Sequence, residues 1–143
     1  MPKPLEPLRL LAEDGDDLAV ISAALQDAIA KIGDIQYEAA ARRLTLAVNR
    51  FRWEGGGRAR ERVRAGVQFG GVLAVKARKL RRDSPNAVVE LLAVAFEPGE
   101  APGGVIALTF AGGGDLRLDV ECVDVILSDV SAAWPARSIP EHG

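Results

Sequence analysis

Asp119 and Glu121 stand one residue apart in a stretch that alternates Leu116, Leu118, Val120 and Cys122, so on a strand the two carboxylates share one face. Two carboxyls on one face could act as an acid and base pair or hold a hard cation. Alternating acids are also what a solvated strand face carries, so an enzyme using strand carboxylates stands as a second alternative that an enclosing pocket would favour. Other chemistries lack their parts. The chain has one cysteine, Cys122, and one histidine, His142, too few for a three- or four-ligand zinc site. With the only imidazole close to the last residue, a Ser-His-Asp or Cys-His relay has no ordered base. Gly55-Gly56-Gly57-Arg58 is not followed by the Gly-Lys-Ser/Thr of a phosphate loop, and Gly66 to Gly71 lacks dinucleotide-binding spacing. The run Glu13-Asp14-Gly15-Asp16-Asp17 lacks the twelve-residue calcium-loop pattern and suits the positive end of a helix. No catalytic residue, metal-ligand set or cofactor site follows, and the expected cofactor is none.

Charge is more informative. Thirteen of the eighteen basic residues lie between Arg42 and Arg82 with only Glu54 and Glu61 among them, so this window and the rest of the chain carry formal charges of +11 and −13. Opposite fields of this size either meet inside an assembly or attract something external.

The elements that would position these groups can be read from spacing. The length of 143 residues fits one domain, and burial of about 68–70% of the unfolded surface at this size supplies a real core. Hydrophobic content of 48% with 27% charged is that of a globular chain, and no apolar run approaches the roughly 18–20 residues of a membrane helix. Prolines at 2, 4 and 7 and the lack of an apolar leader predict a cytoplasmic protein. Acids at 14, 16 and 17 and the series Leu18, Ile21, Leu25, Ile29 predict one helix of about four turns, stopped by Gly33. The strand candidates are 8–12, 35–38 and 43–51 (a hairpin about Ala39-Ala40-Ala41), 62–69 and 72–80 about Gly70-Gly71, 87–96, 105–110, and 116 to about 127, read as one bulged strand although Val123, Ile126, Leu127 and Val130 are also spaced to end it as a helix. The expected fold is α+β: an antiparallel curved sheet or partial barrel of about seven strands with one N-terminal helix packed on it. Residues 1–131 form the single domain and 132–143 an extended tail.

Register sharpens the charge argument. A three-residue loop of Phe69, Gly70 and Gly71 would pair Val67 with Leu73, Ala65 with Val75 and Val63 with Ala77. It places Arg64 opposite Lys76 and Arg62 opposite Arg78, like charges that need a neutraliser. An acidic neighbour such as Asp115, Asp119 or Glu121 could supply it, as could a partner. The candidate binding face is Arg50, Arg52, Trp53, Arg58, Arg60, Arg62, Arg64, Lys76 and Arg78. A partner protein or a second copy of the chain would meet it through acidic groups. Alternatively RNA or another polyanion would bind through phosphates, with Phe51, Trp53 or Phe69 stacking on bases. The whole-chain pI of 5.5 argues against a dedicated nucleic-acid binder.

Three stretches carry a resemblance: Leu8 to Asp14 running into Ile21 to Ala28, Asn49-Arg50-Phe51-Arg52-Trp53-Glu54, and Val120-Glu121-Cys122 with Ala133-Trp134-Pro135 and His142. Together the chain resembles the bacterial family known as domain of unknown function 2948 over nearly its whole length. That resemblance brings no catalytic residue and implies a standalone cytoplasmic protein rather than a fragment of an enzyme. The function expected is therefore a cytoplasmic protein-binding or assembly domain using a basic sheet face, with no membrane partner.

Overall fold

Alternation of apolar and polar residues with period two runs through most of the chain, and it builds strands wherever Gly, Pro or Asp allows a reversal. The computed structural model describes residues 7–51, 61–130 and 134–135. In chain order the elements are β1 (Arg9–Ala12), α1 (Gly15–Leu25), β2 (Ile29–Lys31), β3 (Ile35–Glu38), β4 (Arg43–Phe51), β5 (Glu61–Phe69), β6 (Val72–Arg78), β7 (Val88–Pro98), β8 (Gly104–Phe110), β9 (Asp115–Val120), β10 (Val125–Asp129) and the two-residue β11 (Trp134–Pro135). Ten strands of three residues or more, besides β11, replace the expected seven or so.

Pairing is antiparallel throughout, in the order β1-β10-β5-β4-β2-β7-β8-β9-β6, with β3 also on β4 and β11 on β5. Among the described residues the sheet is not closed. β7 joins its two halves: Val88, Val89 and Glu90 pair with β2, while Leu91 onward pairs with β8, and a bulge between Leu91 and Ala93 marks the change of partner. One contiguous core unites the halves, with Leu44, Leu46 and Val48 of β4, Val67 and Phe69 of β5, and Leu116, Leu118 and Val120 of β9 all buried. The burial string of β4 alternates over all nine residues, as one covered face requires.

The helix begins as its acids predict. Asp14 Oδ1 accepts the Asp17 N–H at 2.8 Å and Asp17 Oδ2 accepts the Glu13 N–H at 3.1 Å, satisfying donors that a helix start leaves open. Leu18, Ile21 and Leu25 are fully buried, so the stripe is the one the spacing shows. Its end is not. The helix stops at Leu25, Asp27 takes a left-handed φ of 65°, and Ile29 belongs to β2, whose neighbour Ala30 is buried. Pairing with β4 and β7 outweighs two further helical turns, and Gly33 lies in a short 3-10 turn beyond β2.

Two further expectations are corrected. The β3–β4 hairpin forms with Glu38 opposite Arg43, but β5 and β6 do not pair. β5 lies between β4 and β10, and β6 pairs with β9. Gly70 and Gly71 instead carry the chain from one half of the sheet to the other, with Gly71 at a φ of 64° and Gly70 N–H donating to Asp124 O at 2.8 Å. The segment from 116 to 127 is likewise two strands, β9 and β10, parted at residues 121–124 and with no helical end. Of the 132–143 tail only Trp134–Pro135 is described, paired with Arg62 and Glu61; the rest lies outside the described residues.

Glycine at 104 is a packing requirement. A Cβ there would meet the Glu97 carbonyl, Phe96 Cε1 at 2.8 Å and Gly99 N at 2.9 Å, two of them backbone atoms that cannot swing away. Gly104→Ala is therefore expected to cost about 1–3 kcal/mol through overpacking. Gly66, where a Cβ meets nothing within 4 Å, should accept alanine with a gain of up to ~1 kcal/mol. Urea midpoints of the two variants check this, and equal midpoints would refute the clash.

Candidate functional site

Among the described residues, six of the ten arginines are already matched by a carboxylate within the fold. Arg50 is fully buried on β4, and its guanidinium grips Asp129 of β10 in a fork, Nε to Oδ1 and Nη2 to Oδ2 each at 2.8 Å. Nη1 donates to Phe51 O at 3.0 Å, and Asp129 Oδ2 also accepts the Leu8 N–H at 2.8 Å. This group ties β4, β10 and the start of β1 together. Arg62 is also buried, its guanidinium carbon 4.7 Å from the centre of the Phe51 ring, with Nε unpartnered among the described residues. Burial pushes its pKa below the usual arginine value.

Arg64 is half-buried, with Nη1 on Asn49 Oδ1 and Nη2 on Asp34 Oδ2, both at 3.2 Å. Arg42 pairs with Glu121, Arg43 with Glu38, and Arg117 with Glu97. Arg78 pairs with Asp115, directly across from it on β9; that hydrogen bond raises the guanidinium pKa and holds the Asp115 carboxyl below its ordinary range. Lys76 stands opposite Arg117.

The five candidates among the described residues thus do not share one face. Arg50 and Arg62 are buried, Arg64 lies in the first half of the sheet, and Lys76 and Arg78 lie on β6 in the second. Arg52, Trp53, Arg58 and Arg60 lie outside the described residues. Of the acids weighed as neutralisers, Asp115 and Glu121 do pair with arginines. Glu121 and Asp119 are both exposed, and neither lines a cavity described below, so no enclosed carboxylate pair forms from them.

A smaller cationic group is left over. From Val72 to Arg82 there is no acid, and Lys76, Lys79, Arg81 and Arg82 are exposed without an ion pair among the described residues. Beside them opens an apolar cleft of ≈ 420 Å³, lined by Ile35 and Tyr37 of β3, Val75 and Ala77 of β6, and Leu80 and Arg82 of the following loop, among others. Two hydrogen bonds seat that loop, Ile32 N–H to Ala87 O at 2.9 Å and Gly33 N–H to Pro85 O at 2.8 Å. Tyr37 Oη closes one end of the cleft by donating to Val72 O at 2.8 Å. The chemistry on offer is adsorption: an apolar slot flanked by unpaired cations, suited to a partner with aliphatic side chains and carboxylates.

Sequence reading missed Leu80, Arg81 and Arg82 as site members and assigned Val75 and Ala77 to a hairpin. The available signal was the acid-free stretch Val72 to Arg82, which combines apolar alternation with five cations. A second groove of ≈ 390 Å³, of mixed lining, crosses β4, β5 and β10 past Thr45, Gly66, Gln68 and Ser128.

A family model described as Protein of unknown function (DUF2948) matches residues 8–142. The chain belongs to this family. No curated protein and no solved structure matches it. The DUF2948 match runs from β1 through β11, so the β6 edge and the cleft lie within the family's own domain. Among the described residues of this DUF2948 protein, no helix is long and apolar enough to cross a membrane.

Proposed function

We propose that this chain is a non-enzymatic protein-binding domain, and that its contact is the cationic segment from Lys76 to Arg82 together with the apolar cleft it borders. The observation that carries the reading is selective neutralisation. Among the described residues, six arginines have a carboxylate partner, whereas four exposed cations within seven residues have none and lie beside an open apolar slot. Surface cations distributed only for solubility would have no reason to gather there. A partner with acidic side chains would satisfy those charges and bury the slot's apolar lining, and the two terms act on the same surface.

A second copy fits less well than another protein. Two β6 segments brought together would set cation against cation, and like charges directly opposed on a sheet repel. An acidic partner suffers no such cost.

Fluorescence anisotropy with a labelled peptide of alternating Glu and Val tests the reading, with mixed single-stranded RNA as a second probe. The peptide is expected to bind at low salt and to weaken as salt rises. The combined variant Lys76→Glu, Arg81→Glu, Arg82→Glu should lose roughly tenfold or more in affinity, the equivalent of about 1.4 kcal/mol. RNA binding with no peptide binding would replace this reading with polyanion recognition. Equal peptide affinity for wild type and variant would remove the site.

A further inference from the structure

The backbone of β6 specifies how such a partner would be held. Directly opposed residues of an antiparallel ladder either exchange both hydrogen bonds or turn both of their groups away from each other. Phe110 N–H donates to Gly114 O at 2.9 Å, which sets the even-numbered residues of β9 toward β8. Glu121 N–H donates to Gly71 O at 2.9 Å, which sets the odd-numbered ones toward β6. Opposite those odd residues on β6 stand Ala74, Lys76 and Arg78. Val75 and Ala77, opposite Leu118 and Leu116, therefore turn their N–H and C=O groups away from β9, to the edge where no described strand pairs.

Val72, before the bulge in this strand, has the same outward orientation but is satisfied. Its N–H donates to Arg42 O at 2.8 Å and its C=O accepts the Tyr37 hydroxyl. Val75 and Ala77 have no such partners among the described residues.

The facing strand repeats the arrangement. Gly70 N–H donates to Asp124 O and Val130 N–H to Arg64 O, so even residues of β5 face β10 and odd ones face β4. Leu44, paired with Phe69, is then turned toward β5, and Tyr37 opposite Leu44 turns its backbone groups away from β4. Both of these strands, β3 and β6, contribute to the lining of the cleft, beside Leu44 of β4 and Leu116 of β9.

We infer that an extended acidic segment of another protein adds to β6 as a further strand, pairing with the backbone of Val75 and Ala77 and placing an aliphatic side chain in the cleft. This rests on the docking reading above and specifies its geometry. Strand addition gives affinity through main-chain hydrogen bonds and specificity through alternate side chains. Here one set of alternate side chains would enter the apolar slot, and the other would lie over Lys76 and Arg78 on the outer face, where carboxylates are matched. The cations also explain how an unpaired strand avoids pairing with its own copies, since charged edges discourage edge-to-edge association.

Residue-resolved amide hydrogen exchange tests the geometry, using the alternating Glu and Val peptide at a concentration that saturates the anisotropy signal. In the free protein Lys76 and Arg78, bonded to β9, are expected to exchange slowly, and Val75 and Ala77 to exchange fast. The bound peptide should slow Val75 and Ala77 by roughly tenfold or more and leave Lys76 and Arg78 unchanged, an alternation that only a paired strand produces. If the peptide binds and the two edge amides do not slow, strand addition is wrong and side-chain docking alone survives. If the peptide does not bind, or binds the combined variant Lys76→Glu, Arg81→Glu, Arg82→Glu as well as wild type, the docking reading itself falls. The same peptide N-methylated at every other residue, made in both phases, gives a readout independent of protein stability. At least one phase should lose about tenfold in affinity, and two phases that both bind like the parent would overturn strand addition.

Discussion

Asp129→Ala is expected to destabilise the fold by about 3–5 kcal/mol, because it takes a buried carboxylate away from the fully buried Arg50 guanidinium. The two side chains are 0% and 1% exposed and meet through two 2.8 Å hydrogen bonds, so water cannot replace the lost carboxylate without opening the sheet. The Leu8 N–H loses its acceptor in the same step, loosening the start of β1. For a chain of 143 residues this corresponds to a fall in melting temperature of roughly 10–15 °C. A fall of only about 2 °C would mean that the pair is not desolvated as described. The double variant Arg50→Met, Asp129→Leu should recover a large part of the loss, since a buried ion pair replaced on both sides by apolar groups is often neutral. Arg78 and Asp115 provide the control: that guanidinium is 71% exposed, and Asp115→Ala should leave the melting temperature nearly unchanged.

The same arginine shows why some of this molecule was legible in sequence and some was not. Leu44, Leu46 and Val48 declare the buried face of β4, and strict alternation puts Arg50 on that face with them. The charge suggested the opposite side, as did the aromatic rings at 51 and 53. Only the fold brings in Asp129, 79 residues later in the chain, and thereby makes a buried arginine tenable. Features whose cause is local were readable: the capped start of α1, the β3–β4 hairpin across a three-alanine turn, and the strands on either side of 97–104. Features decided by non-local pairing were not. β2 is three residues long and exists because β4 and β7 flank it, and the left-handed Asp27 that ends the helix serves that pairing.

The candidate site was half legible for the same reason. A count of charges locates the cationic segment, but which cations remain unpaired depends on the strands that lie across from them. Arg78 meets an aspartate on β9, while Lys76 meets an arginine that is already held by Glu97. The cleft depends entirely on β6 leaving β5. With the hairpin register the sequence suggests, Val75 and Ala77 would have faced Ala65 and Val63 across a filled ladder, and no open edge would exist.

Phe69→Ala separates these two arrangements most sharply. In a hairpin loop of Phe69, Gly70 and Gly71 the ring would stand in solvent, and its removal would cost about 0.5 kcal/mol or less, as surface substitutions do. In the crossover seen here Phe69 is the last residue of β5, 0% exposed, opposite Leu44 on one side and Val125 on the other. Truncating a buried phenylalanine removes its transfer free energy and leaves a cavity, a loss of about 3–5 kcal/mol. The ring also sits where the chain leaves one half of the sheet for the other, between Val67 and Val72, both fully packed, so neighbouring groups have little freedom to collapse into the space. Urea unfolding is expected to show a lower midpoint with an unchanged slope, since the surface exposed on unfolding stays nearly the same. A midpoint within error of wild type would return Phe69 to a solvent turn, restore the β5–β6 hairpin, and close the edge on which strand addition depends.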